Sequence, residues 1–257
     1  MNIFKNLYNY REFLKTSIKK EFRGKYKKSF LGVLWSFLNP LFQLLIYALV
    51  FPFILKNNVE NYTVFLIVAL FPWNFFNLSI IQSAACIVSN GGIIKKVYFP
   101  REILPIATAT SNLINFLISS ILVFLALFIS GIGLTKAVIV LPLIILIQYI
   151  LQLGLSFILS AITVYVRDVE YLINVLMMLA FYLSPIVYSA DMIPGKYLPL
   201  FKLNPMFHII KYYRDILYYG KIPEMGSVLL LLFACIIILI VGYLIFRKLE
   251  KRFAEEL

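Results

Sequence analysis

Long apolar runs recur along this chain with polar breaks between them, and their lengths predict membrane-crossing helices. Six runs qualify, at about Leu31–Leu55, Tyr62–Val88, Pro105–Ile129, Val138–Tyr165, Tyr171–Tyr188 and Val228–Phe246. A helix rises about 1.5 Å per residue and a bilayer's hydrocarbon core is about 30 Å thick, so roughly 20 apolar residues cross it. Two segments break the pattern. Over residues 3–22, Ile3, Leu7, Tyr10, Leu14, Ile18 and Phe22 recur at three- and four-residue steps, which is one helical face. Lys15, Lys19, Lys20 and Arg23 fall mostly elsewhere on the wheel, so this helix is expected to lie in the membrane interface, with a solvated basic arm as the plainer alternative. The second segment, Asp191–Met225, is broken by Pro194, Pro199, Pro205 and Pro223 and carries Tyr197, Tyr212, Tyr213, Tyr218 and Tyr219. It is too polar to span and too apolar to be a free loop. Short re-entrant helices are expected, since backbone at membrane depth must be covered by protein or face water. The expected fold is an all-α integral membrane protein. Residues 1–30 form an amphipathic interfacial helix, and residues 31–257 form one transmembrane domain of six helices, with short re-entrant extracytoplasmic helices before the last span.

Composition supports the membrane assignment. Of 257 residues, 62% are hydrophobic and 14% charged, against roughly 25% charged in a soluble domain. The net charge of +12 suggests nucleic acid only until its distribution is read. Seventeen of the 24 Lys and Arg fall in the N-terminal 30 residues, the loop after the second run, the turn after the fourth, and the C-terminal tail. The positive-inside rule then places both termini in the cytoplasm, and an even number of spans agrees. No nucleic-acid partner is expected. No cleavable signal peptide is read, so the first span is expected to act as its own signal. Cys86 and Cys235 lie in apolar runs and read as small buried hydrophobes, with no metal or disulfide spacing.

The chemistry that is missing narrows the function. There is no G-x-x-x-x-G-K-[ST] loop, no catalytic Ser-His-Asp set, and one histidine, His208. The cores of the six runs hold no Asp, Glu, Lys or Arg, which argues against coupling to a proton or sodium gradient. Energy for any transport must come from another chain.

Six blocks then follow in order. They are Lys25-Tyr26-Lys27-Lys28-Ser29-Phe30-Leu31-Gly32-Val33-Leu34-Trp35-Ser36-Phe37-Leu38-Asn39-Pro40, Leu70-Phe71-Pro72-Trp73-Asn74-Phe75-Phe76, Lys96-Val97-Tyr98-Phe99-Pro100-Arg101-Glu102, Tyr165-Val166-Arg167-Asp168-Val169, Ser184-Pro185-Ile186-Val187-Tyr188 and Asn204-Pro205-Met206. Together they resemble ABC-2 type exporter permeases, and more narrowly the subgroup that exports O-antigen, teichoic acid and related polysaccharides. The resemblance implies a homodimer in the cytoplasmic (inner) membrane, carried on two copies of a separate ABC ATPase. This chain would then be no enzyme and hold no cofactor, with ATP and Mg in the ATPase. It also implies that Lys95–Glu102 forms a coupling helix seated on the ATPase. Lys95, Lys96, Arg101 and Glu102 offer charge pairs there, and Val97, Tyr98 and Phe99 an apolar anchor. An orientation-setting loop on the headgroups explains the same residues. Arg167 and Asp168 are either a second coupling element or a headgroup-level charge cluster.

The cargo would be a polysaccharide presented on a lipid carrier. Sugar rings pack their C–H faces on aromatics, and their hydroxyls bond to Tyr and Asn. Phe71, Trp73, Phe75, Phe76, Tyr182 and Tyr188 are the path candidates, with belt or core packing as the alternative for each. Gln148, Gln152 and Asn174 either bond between helices or line a wet conduit. Lys25, Lys27 and Lys28 suit a lipid headgroup or a carrier's pyrophosphate. Other readings remain open: an ABC-2 permease for a drug or simple lipid, a membrane-embedded glycan-processing enzyme, and a scaffold.

Overall fold

The computed structural model describes residues 3–24, 29–55 and 59–257. Among these residues the chain is helical, with no strand. The helices are α1 (Ile3–Asn9), α2 (Arg11–Gly24), α3 (Trp35–Leu55), α4 (Tyr62–Ser89), the single turn α5 (Gly91–Ile94), α6 (Ile103–Ile129), α7 (Leu141–Tyr165), α8 (Val169–Tyr182), α9 (Leu198–Lys202), α10 (Pro205–Leu217), α11 (Met225–Leu249) and the short α12 (Phe253–Glu256).

α4 is the axis of the bundle. It is apolar all round, as a helix surrounded by protein must be. Of its most apolar 18-residue window 78% is buried, against 22% for α11. It touches α3, α6, α7, α8 and α10, while α7 pairs with α11 along most of its length. The α7–α11 pair meets at two glycines. A Cβ on Gly154 would lie 2.8 Å from the Leu239 backbone, and one on Gly242 would strike the Gly154 carbonyl. Small residues at a helix crossing let the backbones approach this closely.

Among the described residues, four helical segments are long and apolar enough to cross a membrane: Tyr62–Ser89, Ile103–Ile129, Lys136–Tyr165 and Met225–Arg252. They match the second, third, fourth and sixth expected runs. The other two differ. The described apolar stretch of α3 is Trp35–Phe51, and α8 is 14 residues long. At 1.5 Å per residue α8 reaches only about 21 Å, so the run expected over Tyr171–Tyr188 is not one spanning helix. The chain leaves the helix at Leu183, and Pro185 has no N–H with which to continue it.

The N-terminal amphipathic segment is two helices meeting at Tyr10 rather than one. Leu7, Tyr10, Phe13 and Leu14 pack against a core of Phe99, Ile106, Phe157, Phe246 and Phe253. Part of the apolar stripe assigned to the headgroup region is thus covered by the protein's own helices. Lys25, Lys27 and Lys28 lie outside the described residues.

Candidate functional site

At one end of the bundle, the N-terminal helices, the segment between α5 and α6, and the C-terminal helices converge. The coupling segment expected as a helix over Lys95–Glu102 is not helical. α5 stops at Ile94, and the chain continues through turns and irregular backbone to Glu102. Pro100 accounts for this, because it disfavours helical backbone at Phe99 and donates no hydrogen bond itself.

The segment divides into two halves. Lys95, Lys96, Val97 and Tyr98 face outward, with Tyr98 82% exposed. Phe99, Arg101 and Glu102 turn inward. Phe99 packs on Phe13 of α2, ring centroids 4.7 Å apart. The guanidinium of Arg101 donates to the Glu250 carbonyl and lies 5.9 Å from the Phe253 ring. Glu102 is fully buried at the start of α6. Its Oε1 accepts a 2.9 Å hydrogen bond from Asn6 Nδ2, and Arg247 Nη1 stands 3.8 Å from its Oε2. Arg247 is also paired with Glu250 at 2.7 Å. Arg101 and Glu102, expected to meet a partner, therefore spend their charge binding the two chain termini to the bundle.

Arg167 and Asp168 are both exposed, in the turn joining α7 to α8. The same end of α7 is fixed by Tyr165, whose hydroxyl donates to the Leu249 carbonyl at 2.7 Å.

At the opposite end sits a residue the charge pattern hid. Arg214 of α10 is one of the seven Lys and Arg left outside the cytoplasmic groups by the charge count, and it is 4% exposed. Its guanidinium donates to the carbonyls of Phe65, Pro185, Ile186 and Tyr188 and lies 3.5 Å over the Phe65 ring. No carboxylate pairs with it among the described residues. Burial pulls its pKa down to about 9, which leaves it protonated at neutral pH. Two of the sequence blocks meet here. Asn204 caps α10 by accepting from Met206 N at 3.0 Å, and its Nδ2 donates to Ser184 Oγ at 2.9 Å. The Ser184–Tyr188 block supplies three of the four carbonyls that Arg214 holds. Prolines and an arginine on one helix were the only sequence signal, and neither specifies a cage of carbonyls.

The path candidates separate. Phe71, Trp73, Phe75 and Phe76 are 2–5% exposed, inside the bundle of a single chain. Phe75 stacks on Phe116 at 4.9 Å, and Trp73 meets Phe181 edge-on at 5.7 Å. Tyr182 is 55% exposed, and Tyr188 is half-buried and donates to the Tyr182 carbonyl at 2.7 Å. Of the amides singled out in the spans, Gln148 ties three helices. It donates to the Pro72 carbonyl at 2.8 Å and accepts from Tyr213 at 2.9 Å. Gln152 is buried with both amide atoms unpartnered, and Asn174 is exposed, bonded within its own helix to the Glu170 carbonyl. No His, Cys, Asp or Glu cluster suited to a metal occurs among the described residues.

A family model described as ABC-2 type transporter matches residues 12–218. The chain belongs to this family. It is 37% identical to the O-antigen export system permease protein RfbA of Klebsiella pneumoniae, over 92% of this chain and 91% of that protein. It is 31% identical to the O-antigen export system permease protein RfbA of Myxococcus xanthus, over the full length of both. It is 26% identical to the polysialic acid transport protein KpsM of Escherichia coli, over 90% of this chain and 91% of that protein. It is a multi-pass ABC-2 membrane protein, in which the long apolar helices α4, α6 and α7 carry no charged residue and α11 carries Arg247 and Lys248 only in its last turn.

Proposed function

We propose that this chain is the membrane-spanning permease subunit of an ATP-driven exporter that moves a polysaccharide across the cytoplasmic membrane. The observation that carries the proposal is end-to-end similarity to a permease named for O-antigen export. A lipid-linked glycan of the O-antigen or teichoic acid kind is the proposed cargo. Hydrolysis belongs to a separate ABC ATPase, in keeping with the absence of a phosphate-binding loop here.

Two copies of the chain form the path, and both termini lie in the cytoplasm. α3 and α8, with the irregular segment after α8, complete the membrane domain as a first and fifth crossing. α9 and α10 are re-entrant helices on the outer side. The outward-facing Lys95, Lys96, Val97 and Tyr98 meet the ATPase, with Arg167 and Asp168 beside them at the same end of the bundle. Phe99, Arg101 and Glu102 act behind that surface and transmit its movement to α6, the N-terminal helices and α11. Tyr182 and Tyr188 line the path, while Phe71, Trp73, Phe75 and Phe76 form the rigid packing behind its wall. Lys25, Lys27 and Lys28 remain candidates for a headgroup or pyrophosphate on charge alone.

Deleting this chain in its host is the direct test. Polysaccharide should disappear from the cell surface, accumulate inside, and return on complementation. Unchanged surface glycan with altered sensitivity to toxic compounds would favour a drug or lipid cargo instead.

A further inference from the structure

In a bundle whose span cores carry no charge, one cavity stands out by its chemistry. It has a volume of about 290 Å³ and lies where α3, α4 and α6 meet, walled by the carboxamides of Asn39, Gln43, Asn74, Asn77 and Asn115 with Trp35 at one end. Asn74 and Asn115 each lie 12 residues into helices of 28 and 27 residues, close to mid-membrane. Part of the wall is pre-set: Asn74 Nδ2 donates to Gln43 Oε1 at 2.9 Å, and Gln43 Nε2 reaches Tyr47 Oη at 3.4 Å. Asn39 and Asn77 have no hydrogen-bond partner among the described residues.

An amide facing acyl chains without a partner costs several kcal/mol, so such groups face water, a polar ligand or another polar surface. This wall is therefore not a lipid-facing one. Carboxamides suit sugars for a specific reason. Each offers two donors and an acceptor, which matches a hydroxyl that both gives and receives, and it does so without charge. Neutral hydrogen bonds are modest in net strength, so a chain of sugars can be held in register and still released stepwise. The volume is near the lower end of the roughly 300–1,000 Å³ of small-molecule sites, so the notch would engage one short stretch of a polymer rather than enclose it.

We infer that this amide notch is a hydrogen-bonding site for sugar hydroxyls on the wall of the export path. The inference rests on the polysaccharide-exporter reading and assigns that path to the α3–α4–α6 face. A second copy of the chain is the competing occupant, its own amides pairing with these.

The test uses the complete transporter in its host, with two arms. In the first, the double substitution Asn39→Leu/Asn77→Leu is compared with Asn39→Gln/Asn77→Gln. Surface glycan should fall roughly tenfold or more in the leucine pair and stay near wild type in the glutamine pair, with similar amounts of assembled transporter. In the second arm, the chain carries Cys86→Ala and Cys235→Ala, and Asn77→Cys is exposed to a water-soluble, membrane-impermeant methanethiosulfonate. Asn77→Cys should react, while Ile121→Cys, on an exposed apolar face of α6, should not. Wild-type export by the leucine pair, or an unreactive Asn77→Cys, would overturn the notch while leaving the exporter reading in place. Loss of copy-to-copy association in the leucine pair, read on native gels, would assign the amides to a subunit contact and equally overturn it. The exporter reading itself fails separately, if deletion of the whole chain leaves the surface glycan unchanged.

Discussion

At the scale of single residues, two buried charges, Arg214 and Glu102, do the fastening at opposite ends of the bundle. Arg214 fixes the Ser184–Tyr188 segment through three backbone carbonyls and ties it to α4 through a fourth, that of Phe65. Replacing it by methionine keeps bulk but strips those carbonyls of their donor, which costs about 1–3 kcal/mol per buried group left unsatisfied. Arg214→Met should therefore lower the melting temperature of the detergent-solubilised protein. Arg214→Lys should recover only part of the loss, because a single ammonium cannot reproduce the planar fork. A variant that melted with the wild type would show that the carbonyl cage carries no stability. Glu102 makes the parallel case at the other end. Glu102→Ala removes the acceptor of Asn6 and the nearby countercharge of Arg247. It should free the N-terminal helices for cleavage by added protease at concentrations that spare the wild type. Both residues were visible in the sequence, but their burial was not. Glu102 stood in a charged stretch and Arg214 on a helix flanked by lysines. A charge count records how many ions there are and says nothing of which find partners inside.

At the scale of elements, hydrophobic runs located the four long helices nearly to their ends, because length and apolarity are what a bilayer requires. The same signal overextended at Tyr171–Tyr188, where Ser184 and Pro185 end the helix to serve Asn204 and Arg214. Amphipathic periodicity found the N-terminal helices but assigned part of their apolar face to lipid, since periodicity cannot name what covers a stripe. The contact between α7 and α11 escaped notice, as two isolated glycines in apolar runs look ordinary. It yields a clear expectation. Gly242→Ala should separate the helices, because the added methyl would overlap the Gly154 carbonyl. Overpacking of this kind costs about 1–3 kcal/mol, measurable as earlier heat aggregation. Gly92→Ala, where no neighbour lies within 4 Å, is the matching control and should leave heat aggregation unchanged. The coupling segment makes its own prediction. Val97 and Tyr98 are 52% and 82% exposed. Val97→Asp with Tyr98→Ala should leave expression and melting unchanged while abolishing export. A drop in melting temperature instead would place them in the fold rather than at a contact.

At the scale of the whole molecule, what was legible was the class: apolar runs whose cores hold no charge, no nucleotide loop, and ordered sequence blocks spread along the chain's length. What was illegible was the division of labour. Four of the six aromatics proposed for the path, Phe71, Trp73, Phe75 and Phe76, sit inside one chain's bundle, and the amide wall between α3, α4 and α6 is assembled from residues 35–115. No local pattern joins those positions. The central claim is that this chain supplies the membrane path while a separate chain supplies the energy. The most direct measurement is purification in mild detergent after co-expression with the neighbouring genes, followed by an ATPase assay. The account predicts a stoichiometric ABC ATPase that co-purifies, hydrolyses ATP, and is released by Val97→Asp with Tyr98→Ala. Recovery of this chain alone, with no nucleotide-binding companion and no ATP turnover, would contradict it.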